Sequence, residues 1–251
     1  MSRKRLSNFT SYDRNNLLEI VKQQAGDDLD KSLMVVANRI IDLPEYSCTI
    51  NIKKDQSVSD YMEKWTAKYI RGYKNRPSQR TSKPIGTRHD PLLDEIIAAR
   101  LSENVIDLDA IKYGHRLSMS AENIAGPLLE EYIAVKLLKY DWHCCWGDTM
   151  KSIDFCNSDG KLLQIKNSDN SENSSSRTVR DGTEIMHWFR RFSRREETNW
   201  PALNSLVGVT KKEDMLTELD FRNFVKEAIS SNPNSISLEQ ESPWYGIISR
   251  E

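Results

Sequence analysis

The stretch KSIDFCNSDGKLLQIKN, residues 151–167, limits what this chain can fold into more than any other. Two short apolar runs flank a turn around Ser158-Asp159-Gly160, so the segment predicts a β-hairpin. In the first run Ile153 and Phe155 alternate with Asp154; in the second, Leu163 and Ile165 alternate with Gln164 and Lys166. Side chains on a strand point alternately to opposite faces, so a paired hairpin lets Asp154, Gln164 and Lys166 converge on one side of the sheet. A carboxylate and an amide oxygen are hard ligands that suit a Mg²⁺ ion keeping several waters. An ammonium two residues beyond the amide can orient or deprotonate an attacking water and counter the charge of a phosphate. An amphipathic hairpin with a solvated polar face produces the same pattern by chance, so the elements around it carry weight.

Before the hairpin, LSMSAENIAGPLLEEYIAVKLLKY predicts a long helix, with a bend at Gly126-Pro127. DWHCCWGD reads as a further strand. After the hairpin, RDGTEIMHWFRRFSRREE is expected to be a helix starting near Asp181 or Thr183, and ALNSLVGVT a strand. This order predicts an α/β fold: a mixed-sheet core flanked by helices. The first half is mostly helical. SYDRNNLLEIVKQQAGDDLDKSLMVVANRIIDLP has apolar residues at helical spacing, with Gly26 as a break and Pro44 as a stop. SVSDYMEKWTAKYIRGY and DPLLDEIIAARL follow as helices, the latter with Asp90 as N-cap before Pro91. The expected organisation is a helical region over 1–115, for dimerisation or clamping DNA, and a catalytic core over 116–251.

Lys and Arg number 36 against 37 Asp and Glu, so any polyanion must be met by a local patch. One such patch is RGYKNRPSQRTSKPIGTR, residues 71–88, with six basic residues and no acid. It reads either as a solvated loop or as an arm along a phosphate backbone, with Lys74, Arg76 and Arg80 as contacts. The four cysteines lack CxxC spacing, which argues for buried thiols and against zinc. No apolar run is long enough to span a membrane and no signal peptide is evident, so the expected location is the cytoplasm.

The motif Asp154…Gln164-Ile165-Lys166, entered by an acid-bearing helix, resembles the PD-(D/E)xK nuclease superfamily. Ile153 stands where that family usually has proline, and Gln164 where Asp or Glu is commoner, which makes a second metal ion less secure. The resemblance implies a third acid on the helix. GPLLEEY favours Glu130, Glu122 is the second choice, and Glu131 is most simply a solvated residue. The stretch LLQIKNSDNSENSSSRTVRDGTEIMHWFR, with AGPLLEEYIA before it and TNWPALN after it, resembles the SinI/AvaII-type group of type II restriction endonucleases. That resemblance covers roughly 116–210. It implies Mg²⁺-dependent cleavage of double-stranded DNA at a GGWCC-like site, with Asp154, Gln164 and Glu130 holding the metal. It also implies a companion DNA methyltransferase that protects host sites.

Sequence readout needs side chains that reach base edges as well as phosphates. Asn167, Asn170, Asn173, Arg177 and Arg180 follow the catalytic strand, and the two arginines suit guanines. Arg190, Arg191, Arg194 and Arg195 suit phosphates, whereas His187 and Trp188 are expected to pack. A near-palindromic site is most simply cut by a two-fold homodimer. Alternative readings are a structure-specific repair or resolvase nuclease of the same fold, and a non-catalytic DNA-binding protein.

Overall fold

The computed structural model describes residues 2–53, 55–83, 86, 88–101, 107–169 and 184–246. The chain divides into two compact units, one of Met1–Arg76 with Leu129–Phe224 and one of Pro77–Leu128 with Val225–Glu251.

In the first unit, helices α1 (Arg14–Ala25), α2 (Lys31–Asp42) and α3 (Val58–Lys74) begin at side-chain caps. Asp13, Asp30 and Ser57 each accept a backbone N–H that the helix start leaves without a partner. Gly26 ends α1 and Leu43-Pro44 ends α2, as the sequence predicts. Two short strands, β1 (Ser2–Lys4) and β2 (Ile50–Ile52), pair antiparallel. A second sheet has the order β3 (Trp142–Cys144), β4 (Phe155–Asn157), β5 (Leu162–Ser168) and β6 (Ile185–Arg191). Its first two pairings are antiparallel and β5–β6 is parallel, so the sheet is mixed as expected. One layer of core joins Leu33, Val36 and Ile40 of α2 and Trp65 of α3 to Cys156, Leu162 and Ile185 of the sheet. The opposite layer packs Trp188 on Trp200, with Tyr132, Trp200 and Phe221 in mutual ring contact. The N-terminal helices therefore cover one face of the sheet.

Two expected elements exchange type. Residues 185–191 form a strand, not a helix. Ile185 and Trp188 have the three-residue spacing of a helix face, but each is buried in a different layer. An edge strand covered on both sides shows that spacing, and its Ile, Trp and Phe favour extended backbone. Most of ALNSLVGVT, residues 202–210, read as a strand, belongs to helix α6 (Trp200–Val207). Pro201 sits in its first turn, Leu203 and Val207 share its buried side, and Gly208 caps it at φ 76°.

Helix α5 (Leu108–Leu137) is continuous through Pro127 and supplies residues to both units, whose division falls at Leu128/Leu129. Helix α7 (Glu218–Ser231) does the same. The second unit also contains α4 (Pro91–Leu101), whose first turn is capped by the Asp90 carboxylate at 3.1 Å from Leu92 N. Part of the basic loop is tied down there. Asn232 Nδ2 donates to the carbonyls of Ser78 and Arg80 at 3.2 and 2.9 Å, and Ser82 N donates to Asn234 O at 2.8 Å.

Candidate active site

The β4–β5 hairpin closes as its sequence predicts. Asn157 Oδ1 accepts from Lys161 N at 2.8 Å, and Gly160 takes φ 93°, a conformation open to glycine. Phe155 lies opposite Leu163 and Cys156 opposite Leu162, so the next pair outward is Asp154 and Gln164. Asp154 holds both neighbouring strands: its N–H donates to Leu163 O at 3.0 Å, and its carbonyl accepts from Cys145 N at 2.8 Å. Its carboxylate then takes the place of a backbone acceptor, receiving the Ile165 N–H at 2.7 Å. The strand ladder ends at that bond, which fixes a carboxylate at the backbone between Gln164 and Lys166. The Asp154 carboxylate thus meets the backbone of the strand that carries Gln164 and Lys166.

Gln164 is half-buried, and its Oε1 is buried without a hydrogen-bond donor among the described residues. An orphaned buried carbonyl is disfavoured by about 1–3 kcal/mol. Glu130, half-buried on α5, has its carboxyl pushed up to about 8, first by burial and then by the charges of Asp154 and Asp148. Crowded carboxylates raise one another's proton affinity unless a cation intervenes. Glu130 feels the charge of Asp154, and Gln164 stands opposite Asp154 in the hairpin register; carboxylate and amide oxygens are the hard donors that a divalent ion takes. Among the described residues, no three His, Cys, Asp or Glu side chains form a ready-made metal cluster.

Asp148 is the acid that the sequence reading missed. It lies in the turn 145–149 with φ 51°, after Gly147 at φ 74°. Gly72 of α3 packs against this turn so closely that a Cβ there would lie 2.3 Å from Gly147 N. Lys68 Nζ donates to the Asp148 carbonyl at 2.8 Å. The Gly-Asp pair in DWHCCWGD was the available signal, and the glycine four residues from Lys68 was its partner.

The other acids separate. Glu122 is exposed on the part of α5 that belongs to the second unit. Glu131 is corrected: it is 3% exposed and ion-paired with Arg76 Nε at 3.1 Å. That pairing with Arg76, which follows α3, is what helical periodicity alone did not reveal. Arg76 is thereby held, also lying over the Tyr73 ring at 4.7 Å, and Lys74 pairs with Asp28 at 2.7 Å. Arg80 is half-buried.

Asn167 and Arg190 meet each other: Arg190 Nε donates to Asn167 Oδ1 at 2.8 Å and Nη1 to Glu218 Oε1 at 2.6 Å. Arg191 is exposed at the end of β6, opposite Ser168. Asn170, Asn173, Arg177 and Arg180 lie outside the described residues. His187, expected to pack, is exposed: it stands opposite Gln164 on β6 and lines a cleft with Gln164, Lys166 and Phe189. Trp188 is buried, as expected. All four cysteines are buried and unpaired, in keeping with the thiol reading. Among the described residues no helix is long and apolar enough to cross a membrane.

Comparison with known proteins points the same way. The family model described as SinI restriction endonuclease matches residues 18–231. The type II restriction enzyme Eco47I of Escherichia coli is 45% identical over 148 residues, covering 57% of this chain and 63% of that enzyme. The type II restriction enzyme SinI of Salmonella infantis is 49% identical over 125 residues, covering 48% of this chain and 53% of the relative. The match thus spans somewhat more than half the length of each relative.

Proposed function

Because this chain belongs to the SinI restriction endonuclease family, we propose that it is a type II restriction endonuclease hydrolysing phosphodiester bonds of duplex DNA. The observation that carries this reading is the Asp154 carboxylate bonded to the backbone of residue 165, between Gln164 and Lys166, with Glu130 held up to about 8 nearby. The nuclease core is of the PD-(D/E)xK type, within the catalytic region 116–251. The N-terminal helices serve dimerisation or the clamping of DNA.

Asp154, Gln164 and Glu130 would hold Mg²⁺, which when bound polarises the phosphate and lowers the pKa of water. Asp154 supplies a fixed anionic oxygen, because its other oxygen is occupied by the Ile165 N–H. Gln164 supplies a neutral oxygen that no donor among the described residues claims. Glu130 carries a proton that it releases when positive charge arrives, which links site assembly to pH. Lys166 holds an ammonium on the strand beside these ligands, where it orients the attacking water and counters charge gathering on the phosphate. Glu122 is the alternative helix acid. Specificity for a GGWCC-like site follows from the resemblance of residues 116–210. The base-reading side chains are Asn170, Asn173, Arg177 and Arg180, and Arg191 and Arg80 position phosphates; of the other candidates, Asn167, Arg190, Lys74 and Arg76 are engaged by protein partners in this structure. A homodimer cuts both strands, and a companion methyltransferase protects the host's sites.

The test is incubation with plasmid DNA and Mg²⁺, with EDTA as control. Discrete bands matching the GGWCC sites of the plasmid are expected. A smear or nicked circles would favour a structure-specific nuclease, and intact plasmid a non-catalytic binder.

A further inference from the structure

The Asp154 carboxylate borders a cleft whose other wall has no role in the chemistry above. Arg5, Thr49, Asp148, Lys151 and Ser152 line it together with Asp154. The β1–β2 pairing carries the chain so that Arg5 reaches Thr49, and Arg5 Nε donates to the Thr49 hydroxyl at 3.4 Å. Backbone bonds from Cys48 N to Thr149 O, 3.0 Å, and from Lys151 N to Tyr46 O, 2.6 Å, bring the segments 46–49 and 149–151 together. Lys151 is exposed. Among the described residues, no ion pair engages Lys151 or Arg5, and no hydrogen bond engages the two terminal nitrogens of Arg5.

The turn between them is strained. Asp148 and Ser152 take φ 51° and 61°, left-handed values uncommon for residues with a side chain. Such backbone persists only where its surroundings fix it, and it gathers at ligand sites. Here the turn places Lys151, with Arg5 lining the same cleft, beside Asp148 and Asp154, and among the described residues neither cation is ion-paired. A polyanionic chain needs that division of charge: acids alone would repel it, and the cations supply the attraction. A guanidinium with two open N–H-bearing nitrogens and an ammonium are both phosphate donors.

We propose that Arg5 and Lys151 form a phosphate-binding pair that holds the DNA backbone next to the phosphodiester that is cut. The location rests on the reading of Asp154 as the catalytic carboxylate. Arg5 lies before residues 18–231, so family membership does not supply it.

Binding to a duplex carrying GGACC and to a scrambled duplex is measured by fluorescence anisotropy in Ca²⁺ across a salt series. Each phosphate contact contributes about 0.9 to the slope of log affinity against log salt, so the double variant Arg5→Ala/Lys151→Ala should lose about 1.8 on both duplexes. Lys151→Arg should keep the slope, and unchanged thermal unfolding excludes a folding defect. A slope equal to that of the original protein would overturn the proposal. Location is read from duplexes with one neutral methylphosphonate at successive positions. At one or two positions flanking the mapped cut, the neutral linkage should weaken the original protein several-fold and leave the double variant indifferent. Indifference only at distant positions would overturn the placement. Asp154→Ala tests the other reading separately. A variant that still cuts removes Asp154 from the chemistry, while the methylphosphonate map decides whether the pair lies beside the cut.

Discussion

Around β5, the Asn167–Arg190 neighbourhood and the Asp154–Gln164 neighbourhood treat polar groups in opposite ways. Arg190 donates to Asn167 and to Glu218, Glu218 also accepts from Trp200 Nε1 at 2.9 Å, and the guanidinium lies 5.2 Å from the Phe221 ring centroid. Burial pushes the Glu218 carboxyl up, but the bonds from Trp200 and Arg190 outweigh it and hold the group below its usual range. Every charge there has its complement. A few residues away on the same strand, Gln164 buries an oxygen with no donor among the described residues, and Glu130 is pushed up to about 8 by burial and by Asp154 and Asp148. One neighbourhood is completed by folding; under the proposed function, a metal ion completes the other. Mutations in the first should cost stability, and those in the second should cost chemistry.

The largest expected effect is on chemistry. Asp154→Ala and Lys166→Ala should each lower the single-turnover cleavage rate in Mg²⁺ by about 10³-fold or more, the range seen when a group acting only in the transition state is removed. Specific DNA binding in Ca²⁺ should be largely retained. Rates within tenfold of the original protein would show that these residues are not the site.

Next comes the satisfied network. Glu218→Ala leaves Arg190 partly buried without its charge partner and Trp200 Nε1 without an acceptor. A fully buried broken pair costs about 3–5 kcal/mol, and partial exposure of both residues reduces this to about 2 kcal/mol. Urea denaturation measures it, while the cleavage rate of the folded fraction should change little. A variant that unfolds normally but cuts slowly would erase the distinction between the two neighbourhoods.

How far these neighbourhoods could be read from sequence differs for a physical reason. The hairpin, its turn and its three polar residues were legible because period-two alternation and turn chemistry are local. The helices of the N-terminal half were legible from their caps and breaks. Strand β6 was not, because Ile185 and Trp188 are buried in two different layers, and only tertiary structure says that both layers exist. Glu131 misled for the same reason: its burial depends on Arg76, more than fifty residues earlier in the chain. Asp148 needed the contact of Gly72 with Gly147, which no spacing rule encodes.

A third, smaller effect is one of pH. Glu130 titrates near 8 in the folded protein and near its ordinary 4.5 when unfolded. Between those values the folded state holds a proton that the unfolded state has released. Metal-free stability should therefore fall as pH rises through that window. Denaturation midpoints in EDTA from pH 5 to 8.5 should show this decline, and Glu130→Gln should flatten it. Ca²⁺ should stabilise the original protein more at pH 8 than at pH 6, because it favours the ionised carboxylate. If Glu122→Gln flattened the profile in place of Glu130→Gln, the helix acid would be reassigned.

The smallest effect is the sharpest test of the contrast, because it predicts a gain. Gln164 Oε1 has no donor among the described residues. Replacing it with methionine, of similar volume and without the oxygen, should raise metal-free stability by about 1 kcal/mol, near the lower end of the orphaned-group penalty. For a chain of this size that is a rise in Tm of about 2–4 °C. The same variant should lose most of the Ca²⁺-induced rise in Tm, since the neutral ligand is gone. Gln164→Glu should do the reverse. A fourth carboxylate beside Asp154, Asp148 and Glu130 should lower metal-free stability above pH 7, enlarge the Ca²⁺ shift and keep part of the cleavage activity. Calorimetry of the three proteins in EDTA and in Ca²⁺ decides the matter. If methionine lowers metal-free stability and leaves the Ca²⁺ shift intact, the amide oxygen is not waiting for a cation, and this neighbourhood is as finished as the one around Arg190.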